Sequence, residues 1–528
     1  MTVNNKISSN VTGLRYAEET SPKTLPGTPI WIPCEPNSYS DFGGELATVA
    51  RNPINDSRQR KKGVITDLDA SGGFTTDITQ VNLQHLLQGF FFADLRPKGE
   101  AKNAIGESTL TISVTATTDT FERVGGTLDL TTQFAIDDLV LSAGFAAPAN
   151  NGLFAVTAVT STTLVVALPD GAGGDCTLVD EAATATGSLV QVGYEGAAGD
   201  IDVDMTGSRP ALTSTTLDFT TLGLIVGEFI FIGGDATGMK FPTNATNNGF
   251  ARIRSIAATR LEFDKTQGTM VTEESTTETI HLFVGRVLKN EAAASIVRRS
   301  YNLERLLGKA DTSDTYDQVE YISGAVPNEF TLNINTADKV TADLSFVAMD
   351  HELKTGAVGP KSGTRPALVE ADAFNTSSDF SRIKLAVVNE ADACPTALFA
   401  FAQELSLTIN NNVTPDKAIG VLGAFDATHG TFEVGGDITA YFANVAAVTA
   451  VRNNSDITLD IHMVKANAGI SIDLPLLTLG DGRLEVEQDQ SIKIPLSNQA
   501  ATGAKIDSNL NHTLMMVFFD YLPTLADV

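Results

Sequence analysis

Two stretches of the sequence have residue types whose spacing could serve chemistry. "GAVGPKSG" at residues 356–363 has the glycine, lysine and serine of a phosphate-binding loop. However, Pro360 stands before Lys361, where such a loop needs glycine, so we expect a flexible linker. "DIDVDMTG" at residues 200–207 has alternating aspartates like the start of a calcium loop, but it lacks the central glycine and the closing glutamate. We interpret it as a strand edge or a module linker.

Histidines and nucleophiles give no better site. His351-Glu352 is not followed by a second histidine at metal-ligand spacing, and no Gly-x-Ser-x-Gly elbow occurs. The six histidines are scattered, and His85 in an apolar helical stretch fits packing better than ligation. The sequence therefore predicts no enzyme activity, no cofactor and no metal.

One basic cluster departs from the background, in "RNPINDSRQRKKG" at residues 51–63. Its cationic residues are Arg51, Arg58, Arg60, Lys61 and Lys62. Three interpretations stay open: a solvated hairpin tip, a contact with an acidic surface on a neighbouring copy, or a nucleic-acid patch. The last is weakened because no aromatic residues interleave the cluster. We favour the contact between copies.

Composition limits the class of protein. The 528 residues carry a net charge of −28, so phosphates would be repelled and static binding of nucleic acid is disfavoured. Alternating apolar and polar residues predict mainly β structure in several domains. Three widely spaced cysteines fit a reducing compartment. The amino terminus lacks the apolar core of a signal peptide, and the longest apolar stretch, residues 222–234, is too short to span a bilayer.

The sequence contains two internal repeats. "KKGVITDLDASGGF" (residues 61–74) resembles "AIGVLGAFDATHGTF" (residues 418–432), and the match extends from "GELATVARN" and "QELSLTINN" upstream to two copies of "DIT" downstream. Between these copies, "TLDLTTQFAI" matches "TLDFTTLGLI", and "NNGLFAVTAV" matches "NNGFARIRSI". We predict two sibling β modules, residues 109–196 and 197–287, inserted into the first copy of a larger duplicated domain. That domain would comprise residues 1–108 plus 288–360, and its second copy residues 361–528.

Local patterns predict particular elements. Leu110, Ile112 and Val114 alternate with polar residues, which indicates a strand with one buried face. Phe330, Leu332 and Ile334 do the same, and Leu344 and Phe346 continue the pattern after a turn. Asn-Asn-Gly marks a turn entering a strand in each module.

Two helices are expected, one in each large copy. Residues 77–92 place Leu83, Leu86, Leu87 and Phe90 on one stripe, with Asp77 or Thr79 as cap. Residues 444–453 form the equivalent, with Asn444 as cap.

The chain resembles the tail tube proteins of long-tailed bacteriophages. The residues that carry the resemblance are residues 50–79 with the following helix, "SYNLERLL", residues 323–350, and residues 405–442. The inserted modules resemble the immunoglobulin-like decorations of some tail proteins. The implied fold is mainly β, with two sheets and one helix in each tube domain.

The resemblance implies a function as well as a fold. Six tube domains would close a ring, so three chains with two domains each would suffice, and a long loop from each domain would reach the next ring. Those loops would be residues 51–73 and 410–430. The candidate contact residues are therefore Arg51, Arg58, Arg60, Lys61, Lys62, Asp69, Lys417 and Asp426.

The implied partners follow from that role. They are the chain itself, tail-tip, tape-measure and terminator proteins, and double-stranded DNA that passes through an acidic lumen without being held. The location would be the virion tail, assembled in the host cytoplasm. The alternative function is a β-rich adhesin whose modules bind glycans, which the missing signal peptide and the duplicated loop disfavour.

Overall fold

The computed structural model describes residues 7, 9, 12–54, 56, 58–169, 176–309, 316–356, 359–389 and 391–527. The fold is mainly β, as predicted, and the described residues include two α-helices. None of the described helices has the length and apolar character needed to cross a bilayer. The chain divides into two compact units. Unit 1 is Met1–Ala93, Glu291–Phe374 and Glu404–Asp437, and unit 2 is Asp94–Asn290, Asn375–Gln403 and Ile438–Val528.

The elements follow in chain order. Residues 12–93 contain β1 (Gly13–Glu18), β2 (Ile32–Cys34), β3 (Pro36–Arg51), β4 (Lys61–Asp77) and α1 (Gln84–Phe91). Residues 94–290 contain β5 (Glu100–Ala101), β6 (Thr111–Thr115), β7 (Thr120–Gly125), β8 (Asp138–Ala143), β9 (Gly152–Val159), β10 (Thr163–Ala167), β11 (Glu181–Thr184), β12 (Ser188–Glu195), β13 (Asp202–Asp204), β14 (Ala211–Thr213), β15 (Phe229–Ile232), β16 (Gly249–Ala257), β17 (Arg260–Thr266), β18 (His281–Phe283) and β19 (Arg286–Lys289).

The remaining residues contain β20 (Tyr301–Gly308), β21 (Gln318–Asn335), β22 (Thr341–Ala348), β23 (Asp350–Lys354), β24 (Phe380–Val387), β25 (Ala402–Asn410), β26 (Thr414–Lys417), β27 (Ala424–Thr428), β28 (Glu433–Tyr441), α2 (Ala446–Arg452), β29 (Ile457–Lys465), β30 (Ala468–Asp481), β31 (Lys493–Ala501) and β32 (Met515–Phe519). Short 3-10 helices lie at Ala116–Thr118, Leu130–Thr132, Pro148–Asn150, Phe219–Thr221, Thr237–Met239, Ala245–Asn247, Ala293–Ser295, Gly503–Lys505 and Thr524–Asp527.

The long strand β21 organises unit 1. Its first half pairs with β20 and β23, and its second half pairs with β22 and β25, all antiparallel. Beyond β22 the sheet continues through β4 to β3. The predicted alternation is confirmed, because Phe330, Leu332 and Ile334 are buried. Helix α1 covers this apolar face, with the Phe90 ring 5.4 Å from that of Phe346.

Both helices are shorter than predicted. The apolar stripe of α1 is buried as expected, but the helix begins at Gln84 and neither Asp77 nor Thr79 caps it. The Thr79 hydroxyl instead accepts the amide of Asn82 at 3.2 Å, which makes a turn ahead of the helix. In the second copy, the Asn444 side chain accepts the amide of Ala446 at 2.8 Å, although the residue directly preceding α2 is Val445.

The prediction of a flexible linker at residues 356–363 is wrong for the described part of that stretch. The Trp31 indole donates to the carbonyl of Ser362 at 3.0 Å, and the Lys361 amide donates to the Tyr321 hydroxyl at 2.7 Å. The Lys361 ammonium lies 4.3 Å from the centre of the Tyr321 ring. Trp31 is completely buried, so this segment is packed into unit 1.

The two inserted repeats have the same strand order in unit 2. The first follows the order β12-β8-β9-β10-β7-β6 and the second the order β18-β15-β16-β17-β14-β13, with β12 paired to β18. Each repeat has its own apolar cluster, one between residues 101 and 189 and one between residues 194 and 284. The four-domain division stays a prediction. So does the immunoglobulin-like interpretation, since each repeat forms a single pairing path.

The repeated Asn-Asn-Gly motif does more than mark a turn. In the first module, the Asn150 side chain bonds the backbone of Val179 in both directions and donates to Glu181 at 3.0 Å. In the second, Asn247 makes the same bonds to Val271 and donates to Glu273 at 2.7 Å. Asn150 and Asn247 are buried, and buried amides need such partners. In each module, the first asparagine of the motif therefore links the start of one strand to the backbone of a distant segment of the same module.

The aspartate-rich stretch lies where the sequence placed it, at a strand edge. Asp202 and Asp204 belong to β13, which ends the strand order of the second module. The carboxylates of Asp200, Asp202 and Asp204 accept amides from three different segments, those of Thr215, Ser275 and Thr206. No cluster of three or more metal-ligating side chains occurs in the part of the chain that the structure describes.

A buried ionic network joins the second module to β24, β29 and β30 within unit 2. Arg252 lies 3.0 Å from Asp473, Lys265 lies 2.6 Å from Asp460, and Arg382 lies 2.5 Å from Asp460. The side chains of both aspartates are at most 2% exposed. Such desolvated charges are tolerated only because each faces an opposite charge.

Two histidines lie in the same network. His462 is completely buried, stacks on Phe250 at 4.1 Å and lies 3.4 Å from Asp460, while His512 lies 3.7 Å from Asp473. Burial lowers the pKa of both imidazoles, which keeps them neutral. Burial alone would raise the pKa of Asp460, but Lys265 and Arg382 outweigh it and hold that pKa well below its usual range.

These shifts predict that unit 2 loses stability in mild acid. The unfolded chain takes up protons at His462 and His512 near pH 6.5, whereas the folded chain does not, so stability falls as the pH drops below about 6.5. We expect a melting temperature several degrees lower at about pH 5 than at about pH 7. Calorimetry at several pH values measures this. His462→Asn should flatten the dependence and the exposed His85→Asn should not; equal profiles for all three proteins would contradict the assignment.

Candidate assembly surface

The hairpin of β3 and β4 extends beyond the sheet that carries it. Strand β4 pairs with β22 only from Ala70 to Asp77, while its pairing with β3 continues outward to the partners Arg51 and Lys61. The outer part is thus a two-stranded ribbon about 25 Å long. Every described residue between positions 45 and 62 is exposed. A two-stranded ribbon of this kind is marginally stable alone, which points to an external partner.

Apolar side chains also lie exposed along this ribbon. Leu46, Val49, Val64 and Ile65 are between 50% and 57% exposed, and they occupy both strands. Exposed apolar residues grouped on one element indicate a protein-contact surface. The ribbon therefore exposes apolar side chains as well as charge.

The basic cluster occupies the end of the ribbon. Arg51 ends β3, and Lys61 and Lys62 begin β4. Arg58 and Arg60 lie in the connection between the two strands. All five side chains are exposed. No described acidic residue forms an ion pair with any of them. Their charge is consequently available to a partner that carries acidic groups.

The second predicted loop also forms a hairpin, and it lies against the base of the first. The Lys417 ammonium at the end of β26 lies 2.5 Å from the carboxylates of both Asp67 and Asp69 on β4. Hydrogen bonds from Lys417 lower the pKa of Asp67, and those carboxylates raise the pKa of Lys417. These groups are exposed or half-exposed, so they orient the hairpin and contribute little stability.

Asp426, the last candidate, does not join this contact. It lies exposed on β27 opposite Asp416, so it is not brought together with the basic residues. The connection between β26 and β27 instead exposes apolar side chains, with Ile419 fully exposed and Leu422 at 52%. The two hairpins therefore present different chemistry, one a basic end and the other an apolar end.

The predicted long loops, residues 51–73 and 410–430, are in large part strand. Residues 61–73 are strand, and the first true connection covers only residues 52–60. In the second copy, β26 and β27 leave a connection at residues 418–423. Gly420 lies in this turn at φ 89°, whereas its repeat partner Gly63 lies within β4. The repeated sequence signature thus forms two hairpins of different length.

Comparison with known proteins decides the family. The family model for the phage tail tube protein matches residues 9–500. The chain belongs to the phage tail tube protein family. No curated protein matches the chain. Membership identifies a structural protein of the phage tail, a component of the virion that assembles with copies of itself into the tube, and it confirms that part of the sequence prediction.

A second surface of this tube protein is polar and lies on the sheet face opposite α1. On it, the Asn333 side chain donates to Asp343 at 2.8 Å, the Thr75 hydroxyl donates to the same carboxylate, and the hydroxyls of Thr331 and Thr408 lie 3.0 Å apart. These side chains come from β21, β22, β4 and β25 of unit 1. The face is thus hydroxyl-rich and internally hydrogen-bonded, and the Lys339 ammonium at its edge is paired with Asp77 at 2.8 Å.

One residue of the candidate assembly surface was missed by sequence reasoning. Asp67 shares Lys417 with Asp69, yet only Asp69 was a candidate. The spacing Asp-x-Asp within a strand places both carboxylates on one face, which is the signal that could have revealed the pair.

Proposed function

We propose that this chain closes into rings that stack as the hollow tail tube of a long-tailed, siphophage-type virus. The observation that carries the proposal is the exposed ribbon of β3 and β4, which extends past its own sheet with apolar sides and a basic end. In a stack, the basic end of this ribbon would contact the neighbouring ring. Three chains would supply six tube domains, with the inserted immunoglobulin-like modules as decorations.

The polar face of unit 1 supports a role for the lumen. Hydroxyls and the carboxylate of Asp343 offer no cation to a passing phosphate backbone, so double-stranded DNA would slide past without being held. Tail-tip, tape-measure and terminator proteins would complete the partners. Assembly would take place in the host cytoplasm.

Electron cryo-microscopy of the purified, concentrated protein tests this function. We expect hollow tubes of stacked rings, and their symmetry will count the chains in each ring. Adding tail-tip complex as a seed covers the case in which nucleation is slow. Discrete particles that persist even with seeds would overturn the proposal and favour a binding module.

A further inference from the structure

One strand pairing inside unit 1 joins the two copies of the tube repeat. The second half of β21 belongs to the first copy, and β25, which follows β24, belongs to the second. They pair antiparallel with Ile334 opposite Leu405 and Leu332 opposite Leu407. All four side chains are at most 5% exposed. At this junction the second half of β21, in the first copy, pairs with β25, in the second copy.

In the first copy, the repeat partner of β25 is β3. "GELATVARN" in β3 matches "QELSLTINN" in β25, with Leu46 equivalent to Leu405. Only β4 pairs with β3 among the described strands, so its outer edge is open. Leu46 is 50% exposed, whereas Leu405 is 2% exposed.

In the second copy, the end of β30 and the residues after it are equivalent to the second half of β21. The hairpin of β21 and β22 matches that of β30 and β31, with Leu344-Ser345 equivalent to Leu496-Ser497. The turn residues Ala337 and Asp489, at the same spacing, both adopt left-handed backbone angles. The alignment makes Leu484 and Val486 the equivalents of Leu332 and Ile334.

These equivalents are uncovered in the second copy. Val486 is 69% exposed and Leu484 is 40% exposed, against 5% and 2% for Ile334 and Leu332. The described bridge in this segment, from Glu485 to Lys493, goes to its own hairpin partner. The edge that receives β25 in the first copy is therefore open in the second.

We propose that the outer edge of β3 of one chain pairs antiparallel with residues 481–487 of the next chain, repeating the junction between β21 and β25. Leu46 lies opposite Val486, Thr48 opposite Leu484, and Arg51 beside Asp481. This pairing rests on the proposed function and names the contact that closes each ring. It buries the exposed apolar side chains and satisfies two open strand edges at once. One like-charge pair, Glu45 and Glu487, opposes it.

Disulfide trapping tests this register. Directly opposed residues in antiparallel strands have Cα atoms about 4.5–5.5 Å apart, within the range of a disulfide. In the full-length double variant Leu46→Cys/Val486→Cys, we expect mild oxidation to convert the monomer band into a ladder that ends at one closed ring. A mixture of the two single variants should yield only a dimer, and each single variant alone should match the oxidised wild type with its three native cysteines.

The matched control is Leu46→Cys/Glu485→Cys, because a shift of one residue turns the cysteine to the opposite face. Tubes without the Leu46–Val486 ladder, a bond within one chain, or equal trapping by the control would overturn the proposed pairing and leave the tube function standing. A ladder without tubes would support the pairing and contradict stacking. Neither ladder nor tubes would overturn both.

Discussion

Reversing the charge at the end of the β3–β4 ribbon is expected to abolish tube formation. The variant changes Arg58, Arg60, Lys61 and Lys62 to glutamate. If the basic end contacts an acidic surface on the next ring, reversal replaces attraction with repulsion at every copy of that contact. The four residues are exposed and form no ion pair with a described residue, so the free energy of unfolding should change by less than about 0.5 kcal/mol. Electron microscopy and a denaturation curve measure the two effects separately.

The control for this variant must match its change in net charge. Four exposed or half-exposed basic residues outside both hairpins, reversed to glutamate in the same way, provide it: Lys240, Lys309, Arg452 and Lys505. Tubes should form from the control. Loss of tubes in both proteins would assign the effect to overall charge, and normal tubes from the ribbon variant would remove the basic end from the contact.

Replacing Asp460 by asparagine is expected to cost about 3–5 kcal/mol of stability, because it leaves two buried cations, Lys265 and Arg382, without their shared carboxylate. Chemical denaturation measures the loss. The reference variant is Asp481→Asn, which breaks an ion pair with Arg483 whose side chain is 90% exposed, and it should leave the denaturation midpoint nearly unchanged.

A double variant separates the network from simple loss of packing. Lys265→Met alone should also be costly, because it leaves Asp460 with less positive charge around it. Combined with Asp460→Asn, it should cost less than the two single losses added together. Additive losses, or an Asp460→Asn variant as stable as the reference, would contradict the role given to these charges.

Periodic features of this fold were predictable from the sequence, and contacts between distant segments were not. The alternation at Phe330, Leu332 and Ile334 and the stripe on α1 are local patterns, so they survive folding unchanged. The two repeats were visible because each copy keeps its own packing. The extent of the β3–β4 hairpin was missed because polar residues in an exposed ribbon look like a loop.

The buried ionic network is an example of contacts that could not be predicted from the sequence. Arg252 and Asp473 are far apart in sequence and pair only when the second module meets β30. The first module has alanine, Ala155, at the position equivalent to Arg252, so comparing the repeats flags the arginine but not its partner. Similarly, the basic cluster and Lys417 were candidates by residue type, while the pairing of Lys417 with Asp67 required the fold.

The two kinds of strand junction in this chain differ in symmetry. The inserted modules pair through β12 and β18, which are the corresponding strands of the two repeats. The same edge of each module is therefore already paired. An isologous junction of this type is complete with two members and cannot add a third. The junction of β21 with β25 is heterologous, because β21 and β25 are not equivalent strands of the repeat. Their equivalents, residues 481–487 and β3, each keep an open edge. The β12–β18 junction is therefore complete within one chain, whereas the proposed pairing of β3 with residues 481–487 can continue from chain to chain.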